Sequence, residues 1–197
     1  MSFKKYRARV VSDLYRLGGR VNFSVFIYHL VKNDETFKYS FWLRTCAYTR
    51  QSKLLKYSLY PLAKFLLSHY QFKYGISIPH ETLIGDGLYI GHFGGIVVNS
   101  KSKIGKNFNI SQGVTLGMAN RGKNKGYPEI GDNVYIGPGA KVIGGIKIGN
   151  NVAVGANCVV TKDVPDNAVV VGVPGKVISY NGSGGYIANT SYDELDF

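Results

Sequence analysis

Residues 130–160 read IGDNVYIGPGAKVIGGIKIGNNVAVGANCVV, and an aliphatic residue recurs at every sixth position of this stretch. A period of six fits neither an α-helix, which repeats about every 3.6 residues, nor a strand, which alternates every two. It fits a triangular coil, in which each side is a short strand followed by a tight turn and about 18 residues complete one coil. Stacked coils would bury the aliphatic side chains in one continuous core, so we predict a β-solenoid. The repeated residues are Ile130, Ile136, Val142, Ile148, Val154 and Val160.

The same period extends upstream, so the predicted solenoid covers residues 76–178. Two steps are too long: the step from Ile96 to Ile104 by two residues, and the step from Leu116 to Ile130 by eight. The longer insertion contains the polar stretch MANRGKNKGYP at 118–128. Because insertions bulge from one face of a solenoid, commonly the binding face, this stretch is a candidate binding loop; a tolerated surface loop is the alternative. The earlier repeat members are Ile78, Ile84, Ile90, Ile96, Ile104, Ile110 and Leu116.

The segments on either side of the solenoid differ from it in composition. Residues 1–75 space their apolar residues by three and four, as in YSLYPLAKFLLSHYQF at 57–72, so we predict helices there. Residues 179–197 are rich in Gly, Ser and Asn, and we expect a flexible tail. At 197 residues the chain is expected to form a single folding unit.

The positive charge is concentrated in the helical segment. The chain carries a formal net charge of +12, and residues 1–77 hold 14 of its 24 Lys and Arg but only 3 of its 12 acidic residues. Basic residues alternate there with aromatic ones, as in FKYSFWLRTCAYTR at 37–50, which suits an anionic membrane surface or a phosphorylated carrier as well as a nucleic acid. Because the solenoid is nearly neutral, we predict no nucleic-acid partner and a peripheral membrane contact through residues 1–75. A solvated helix face is the alternative.

The sequence indicates neither a membrane span nor a signal peptide. No uncharged apolar run reaches about 18 residues, and residues 21–31 lack a small-residue cleavage site. We therefore predict a cytoplasmic protein, at the inner face of the membrane where the basic segment binds lipid. Cys46 and Cys158 lie far apart without metal-ligand spacing, so we expect buried packing residues rather than a disulfide or a zinc site.

Three stretches carry a family resemblance: YGISIPHETLIGDGLYIGHFGGIVV at 74–98, ISQGVTLG at 110–117 and VGVPGKVIS at 171–179. They resemble the hexapeptide-repeat acyltransferases, most closely the serine acetyltransferase-like branch that includes capsule and exopolysaccharide O-acetyltransferases. The resemblance covers residues 74–178. It implies a mainly β chain, with a left-handed parallel β-helix after the helical segment, and a homotrimer that holds acetyl-CoA between neighbouring subunits without a metal.

His92 is the candidate catalytic residue. It lies in GHFGG, where glycines allow close approach, and it matches the histidine that the resembling family uses as general base. A neutral imidazole can remove the acceptor hydroxyl's proton during attack on the thioester. Serine acetyltransferases carry an aspartate at the position matched by Ser77, so a backbone carbonyl, Glu81 or Asp86 would have to orient the ring instead.

The acceptor predicted from the resemblance is a sugar hydroxyl of a capsule or exopolysaccharide glycan. Gly91 and Tyr127 stand where serine acetyltransferases have an acidic residue and a histidine, so polar groups that would bind free serine are missing. Aromatic and polar side chains near these positions are the candidate acceptor-binding residues, each with a plain surface or packing role as the alternative. They are Tyr89, Phe93, Arg121 and Tyr127, with Asn99 and Asn124 as further hydrogen-bonding groups.

The donor-binding candidates follow from the same resemblance, which aligns residues 159–178 with the coenzyme A site. Gly137 and Ala156 would let the pantetheine arm lie against the backbone. Thr161, Lys162 and Lys176 would meet the pantetheine and the nucleotide phosphates, with solvated loop charge as the alternative.

Two other functions remain open on the sequence, and a third is disfavoured. One is a serine or other small-molecule acetyltransferase, including one that acts on an amino sugar. Another is a scaffold without enzyme activity, recruited to a membrane by its basic segment. A metal-dependent hydratase on this solenoid would need three histidine ligands, and the solenoid contains only His80 and His92.

Overall fold

The computed structural model describes residues 1–32 and 35–194, which form five α-helices followed by a three-faced β-helix. Gly19 and Gly75 cap the C-terminal ends of α1 and α5, and both adopt the left-handed conformation that favours glycine at this position. Gly75 is followed directly by the first strand, so the chain passes from helix to solenoid at one residue. The helices are α1 (Phe3–Gly18), α2 (Phe23–Val31), α3 (Glu35–Thr49), α4 (Lys53–Ser58) and α5 (Tyr60–Tyr74).

The strands of the described chain form one sheet on each face of the solenoid, and every pairing is parallel except that of β14 with β15. Face 1 contains β1 (Ile76–Ser77), β4 (Ile96–Val98), β7 (Thr115–Gly117), β10 (Lys141–Ile143) and β13 (Val159–Val160). Face 2 contains β2 (Leu83–Ile84), β5 (Lys103–Ile104), β8 (Glu129–Ile130) and β11 (Lys147–Ile148). Face 3 contains β3 (Tyr89–Ile90), β6 (Asn109–Ile110), β9 (Tyr135–Ile136), β12 (Ala153–Val154), β14 (Val169–Val171) and β15 (Lys176–Ser179).

The hexad residues stack into columns, as the six-residue period predicts. On face 2, Ile84 pairs with Ile104, which pairs with Ile130, which in turn pairs with Ile148. All four side chains are buried, so each coil extends the core of the coil before it. Cys158 is buried four residues after the hexad residue Val154, and Cys46 is buried in α3.

Both breaks in the repeat exist, but one lies elsewhere than predicted. Residues 118–128, between β7 and β8, contain the eight-residue insertion. The two-residue insertion precedes Ile96: pairs that span residues 92–94, such as Tyr89 with Asn109, are 20 residues apart, and Val97 and Thr115 are 18 apart. The prediction failed here because Ile96 and Val98 both point inward, and Val98, not Ile96, continues the hexad column.

The helices share the solenoid's core, and a buried ion pair between α1 and α3 is hydrogen-bonded to the backbone of the first coil. Tyr39, Leu43 and Leu67 belong to the same buried cluster as the hexad residues. Arg44 donates from Nε and Nη2 to Asp13 at 2.9 and 3.0 Å and from Nη1 to the Ile84 carbonyl. Much of α3 is therefore buried, and this corrects the prediction that FKYSFWLRTCAYTR offers its basic and aromatic side chains to a membrane.

The segment after the solenoid also differs from the expected flexible tail. The Ser183 hydroxyl donates to the Asn133 carbonyl at 2.7 Å, and the buried Tyr192 donates to Asn107 Oδ1 at 2.6 Å. These contacts hold the segment against the solenoid. Its Gly and Asn residues suit the tight turns that this path requires. The last three residues of the predicted tail, 195–197, lie outside the described residues.

Candidate active site at a corner of the solenoid

His92 lies at the corner where the chain passes from face 3 to face 1, here called the 3–1 corner. This corner consists of residues 91–95, 111–114, 137–140 and 155–158, and the turn at 172–175 continues it. Gly91 N–H donates to the Ile110 carbonyl and Gly113 N–H to the Gly94 carbonyl, so the two extra residues lie among residues 92–94. The insertion lifts His92 and Phe93 out of the repeat, and both side chains are exposed.

A cleft of about 470 Å³ opens between this insertion and the helices. Its helical wall comes from the end of α2 and the start of α3. These elements bring a second histidine, His29, and the oppositely charged Lys32 and Glu35 to the same cleft as His92. None of these helical residues was identified from the sequence, and no motif marks them. The cleft is lined by Tyr28, His29, Lys32, Glu35, Thr36, Gly91, His92 and Phe93.

The carboxylates predicted as alternatives for orienting His92 are engaged elsewhere. Asp86 lies 3.4 Å from Arg9 Nε, and Glu81 accepts a 2.6 Å hydrogen bond from Arg50 Nη1. Ser77 lies in β1, half-buried. Within the described part of the chain, Glu35 is the carboxylate that lines the cleft with His92.

His80, the other solenoid histidine, has a packing role. Its Nε2 lies 3.1 Å from the Tyr60 hydroxyl, and its Nδ1 lies 3.3 Å from Glu81. Burial lowers the pKa of His80, which favours the neutral ring. His80 therefore joins α5 to the first coil.

The structure brings together only part of the predicted acceptor set. Phe93 lines the cleft, and its ring centroid lies 5.7 Å from that of Tyr74. Tyr89 lies on the outside of face 3 beneath Arg16, whose Cζ is 5.7 Å from the ring centroid, in a different cavity. This placement corrects the prediction for Tyr89, because α1 covers the ring that was expected to meet a sugar.

Arg121 and Tyr127 lie at a different corner, between faces 1 and 2, here called the 1–2 corner. It consists of residues 99–102, the long loop 118–128, residues 144–146 and residues 161–163. Tyr127 is half-buried beneath Lys101, whose Nζ lies 5.2 Å from the ring centroid, and Arg121 is exposed. Asn124 Nδ2 donates to the Thr161 carbonyl at 2.7 Å, which fixes the loop to a later coil.

The predicted donor residues divide between the same two corners. Gly137 and Ala156 lie at the 3–1 corner, and Lys176 follows the turn that continues it; Thr161 and Lys162 lie at the 1–2 corner. Ala156 and the two lysines are exposed. Gly137 is buried, and a Cβ there would lie 2.9 Å from the backbone nitrogen of Ala156, so the next coil already explains why this residue is glycine.

Acceptor and donor candidates are thus split in the same way, at opposite edges of face 1. Within one chain the two corners cannot form a single pocket, because face 1 lies between them. A family model described as "Bacterial transferase hexapeptide (six repeats)" matches residues 127–162.

Relatives match over a longer part of the chain. Serine acetyltransferase from Staphylococcus aureus (strain N315) is 43% identical over 130 residues, which are 66% of this chain and 61% of the relative. Soybean serine acetyltransferase in its structure complexed with serine is 33% identical, with a TM-score of 0.72, over 89% of this chain and 70% of that one. This chain belongs to the hexapeptide-repeat acyltransferases.

A third relative shows how far the acyltransferase fold extends. Serine acetyltransferase from Brucella abortus strain S19, solved with coenzyme A, matches 91% of this chain and 70% of that one at a TM-score of 0.74 and 28% identity. The match includes the helices as well as the solenoid, and it confirms the predicted left-handed β-helix with an N-terminal helical region. The chain spans only 61% of the length of the curated staphylococcal relative.

Proposed function

We propose that this acyltransferase moves an acetyl group from acetyl-CoA to a hydroxyl of a small acceptor, with His92 as general base. The observation that carries the proposal is the position of His92. It is part of a two-residue insertion that interrupts the six-residue repeat at this corner, and it opens into a cleft walled by the helices.

The acyl-transfer step uses the imidazole twice. His92 accepts the hydroxyl proton as the acceptor oxygen bonds to the acetyl carbon, and it then returns that proton to the departing thiolate. Such general catalysis contributes roughly 10²- to 10⁴-fold to the rate. Because the insertion holds His92 outside the β-helix, the ring can contact both substrates without disturbing the stacking of the coils.

The 3–1 corner fits an extended thioester substrate. Acetyl-CoA supplies the activated acetyl group when bound. Below the insertion the corner carries Ser111, Gly137 and Gly155, which project little or no side chain from it. Gln112 Oε1, at the same corner, is buried without a hydrogen-bond partner among the described residues, and a rotation of this half-buried side chain toward the surface would let it accept from an amide N–H of a pantetheine arm.

Free serine is the first candidate acceptor. Lys32 and Glu35 line the cleft beside His92, and one cation and one carboxylate complement the carboxylate and ammonium of a free amino acid. They supply the polar groups whose absence at Gly91 and Tyr127 had argued against serine. The three relatives described above are named serine acetyltransferases, and they also favour this alternative over the polysaccharide acceptor predicted first.

A sugar hydroxyl is the second candidate. Phe93 is 47% exposed at the mouth of the cleft, and an exposed ring next to the base provides an apolar platform for a sugar face. Tyr127 offers a further ring from the 1–2 corner.

The complete site requires more than one copy of the chain. A trimer in which the 3–1 corner of one subunit meets the 1–2 corner of its neighbour would unite Ala156 with Thr161 and Lys162. It would unite His92 with Arg121 in the same way. Both candidate sets divide between the corners alike, so one interface geometry accounts for both.

An acceptor panel tests the proposal through release of the CoA thiol from acetyl-CoA. We expect turnover with serine, and we expect Lys32→Ala and Glu35→Ala to raise the KM for serine by about tenfold each with little change in the KM for acetyl-CoA. Lys106→Ala, an exposed lysine between β5 on face 2 and β6 on face 3, is the matched control and should change neither constant. Turnover of sugars but not serine would reject the serine assignment, and no turnover with any hydroxyl acceptor would reject the enzyme.

A further inference from the structure

Helix α5 is apolar on its outer face as well as its inner one. Ala63, Leu67 and Tyr74 are buried against the core. On the opposite side, Leu62, Phe65 and Phe72 are 53%, 68% and 85% exposed. Together with His69 they follow a 3-4-3 spacing, which places all four on one stripe of the helix. A helix that is apolar all round is expected to be covered on both sides.

Helix α4 repeats this feature immediately before α5. Its two exposed apolar residues, Leu54 and Tyr57, are 78% and 79% exposed and lie three positions apart, on one side of the helix. Isolated exposed apolar residues are ordinary on protein surfaces, but five large ones on two consecutive helices mark an interaction surface. We call Leu54, Tyr57, Leu62, Phe65 and Phe72 the outer apolar set.

The charges around the outer apolar set have a single sign. Residues 36–80 contain no Asp or Glu, and the exposed lysines Lys53, Lys56, Lys64 and Lys73 accompany the set along both helices. Arg50, just before α4, differs from them because it is paired with Glu81 at 2.6 Å. A partner that complements this surface therefore offers apolar groups for the outer apolar set and negative charges for the lysines.

We propose that α4 and α5 dock this acyltransferase on a membrane surface that contains anionic lipids. The outer apolar set enters the boundary between headgroups and acyl chains, and the four lysines contact lipid phosphates. The docking is peripheral, since none of the described helices combines the length and the apolar character that crossing a bilayer requires. This surface lies on other elements than the basic and aromatic stretch of α3, whose side chains are largely buried.

Co-sedimentation with lipid vesicles tests the docking surface. The full chain is mixed with vesicles of equal parts phosphatidylglycerol and phosphatidylcholine, or of phosphatidylcholine alone. We expect binding to the anionic vesicles and about tenfold weaker binding to the neutral ones. The double variants Phe65→Ser/Phe72→Ser and Lys64→Gln/Lys73→Gln should each weaken binding to anionic vesicles by about tenfold or more.

The control is Leu83→Ser, which removes an apolar side chain that is 65% exposed on face 2 and should leave binding unchanged. Thermal unfolding of each variant verifies that it is folded. If Phe65→Ser/Phe72→Ser does not fold, Lys64→Gln/Lys73→Gln still tests the proposal. Failure of the wild-type chain to bind anionic vesicles overturns the proposal, as does wild-type binding by both double variants. So does loss of oligomer mass in Phe65→Ser/Phe72→Ser without loss of vesicle binding, which would make the stripe a contact between copies.

Discussion

The imidazole of His92 performs the proton transfer in the proposed reaction. We expect His92→Ala to lower kcat by at least about 10²-fold and to leave the KM for acetyl-CoA nearly unchanged, because the ring acts on the hydroxyl proton. Its unfolding temperature should match that of the wild type, since the side chain is exposed and fills no core space. Release of the CoA thiol and circular dichroism measure the two effects.

His69→Ala is the matched control for His92→Ala. His69 is also exposed, but it lies on the outer stripe of α5, away from the cleft. Its replacement should leave kcat unchanged with a soluble acceptor. Turnover by His92→Ala close to that of His69→Ala would remove the imidazole from the mechanism.

Individual site residues differ in how far the sequence could identify them. The sequence could point to His92 as a candidate because a motif surrounds it and the repeat fixes its coil; its catalytic role stays a prediction. Lys32 and Glu35 were not, because they reach the cleft only through the packing of α2 and α3 on the first coil, a long-range arrangement that leaves no local pattern. Tyr89 was misassigned for the same reason: its place in the repeat was right, but the cover provided by Arg16 comes from 73 residues earlier in the chain.

At the scale of elements, the two-residue insertion is needed for the proposed catalysis but not for the stacking of the coils. Deletion of His92 and Phe93 would reduce the 20-residue coil to the 18 residues of the next coil. We expect this variant to fold with an unfolding temperature within about 5 °C of the wild type, because the hexad columns stay in register. It should have no measurable acetyl transfer.

Deletion of Ser111 and Gln112 is the matched control, since it removes two residues from the same corner one coil later. The chain has no insertion at that corner of the coil, so the buried Val114 and Leu116, which precede the long loop, would be displaced from their columns. We expect a much larger loss of stability than deletion of residues 92–93 causes. Circular dichroism melting compares the two deletions. If deletion of residues 92–93 unfolds the solenoid as completely as deletion of residues 111–112 does, the insertion is a structural part of the coil.

Elements within the solenoid were predictable, and their surroundings were less so. Hexad residues such as Ile130 and Ile148 follow a period that arises from local geometry, so their pairing could be predicted from spacing alone. The burial of α3 could not, because it depends on Arg44 reaching Asp13, 31 residues away, and the first coil. The C-terminal segment was mistaken for a flexible tail because its composition does not reveal the contact of Tyr192 with Asn107.

At the scale of the whole molecule, the split of the site between two corners predicts that neighbouring subunits complete one another. One parent variant, His92→Ala, loses the 3–1 corner's base but keeps an intact 1–2 corner. The other, Arg121→Ala/Tyr127→Ala/Lys162→Ala, keeps His92 and loses the groups of the 1–2 corner. Each parent alone should be nearly inactive.

Co-expression of the two parents should restore activity, because a mixed trimer places an intact 3–1 corner from one subunit against an intact 1–2 corner from its neighbour. In random assembly roughly three quarters of the trimers are mixed, and about one site in three of each mixed trimer is complete, so about a quarter of wild-type turnover should return. Parents purified separately and assayed together without subunit exchange are the control and should stay inactive. If the co-expressed sample shows only the summed activity of its parents, each subunit contains its own complete site, and the pairing of corners across an interface is wrong.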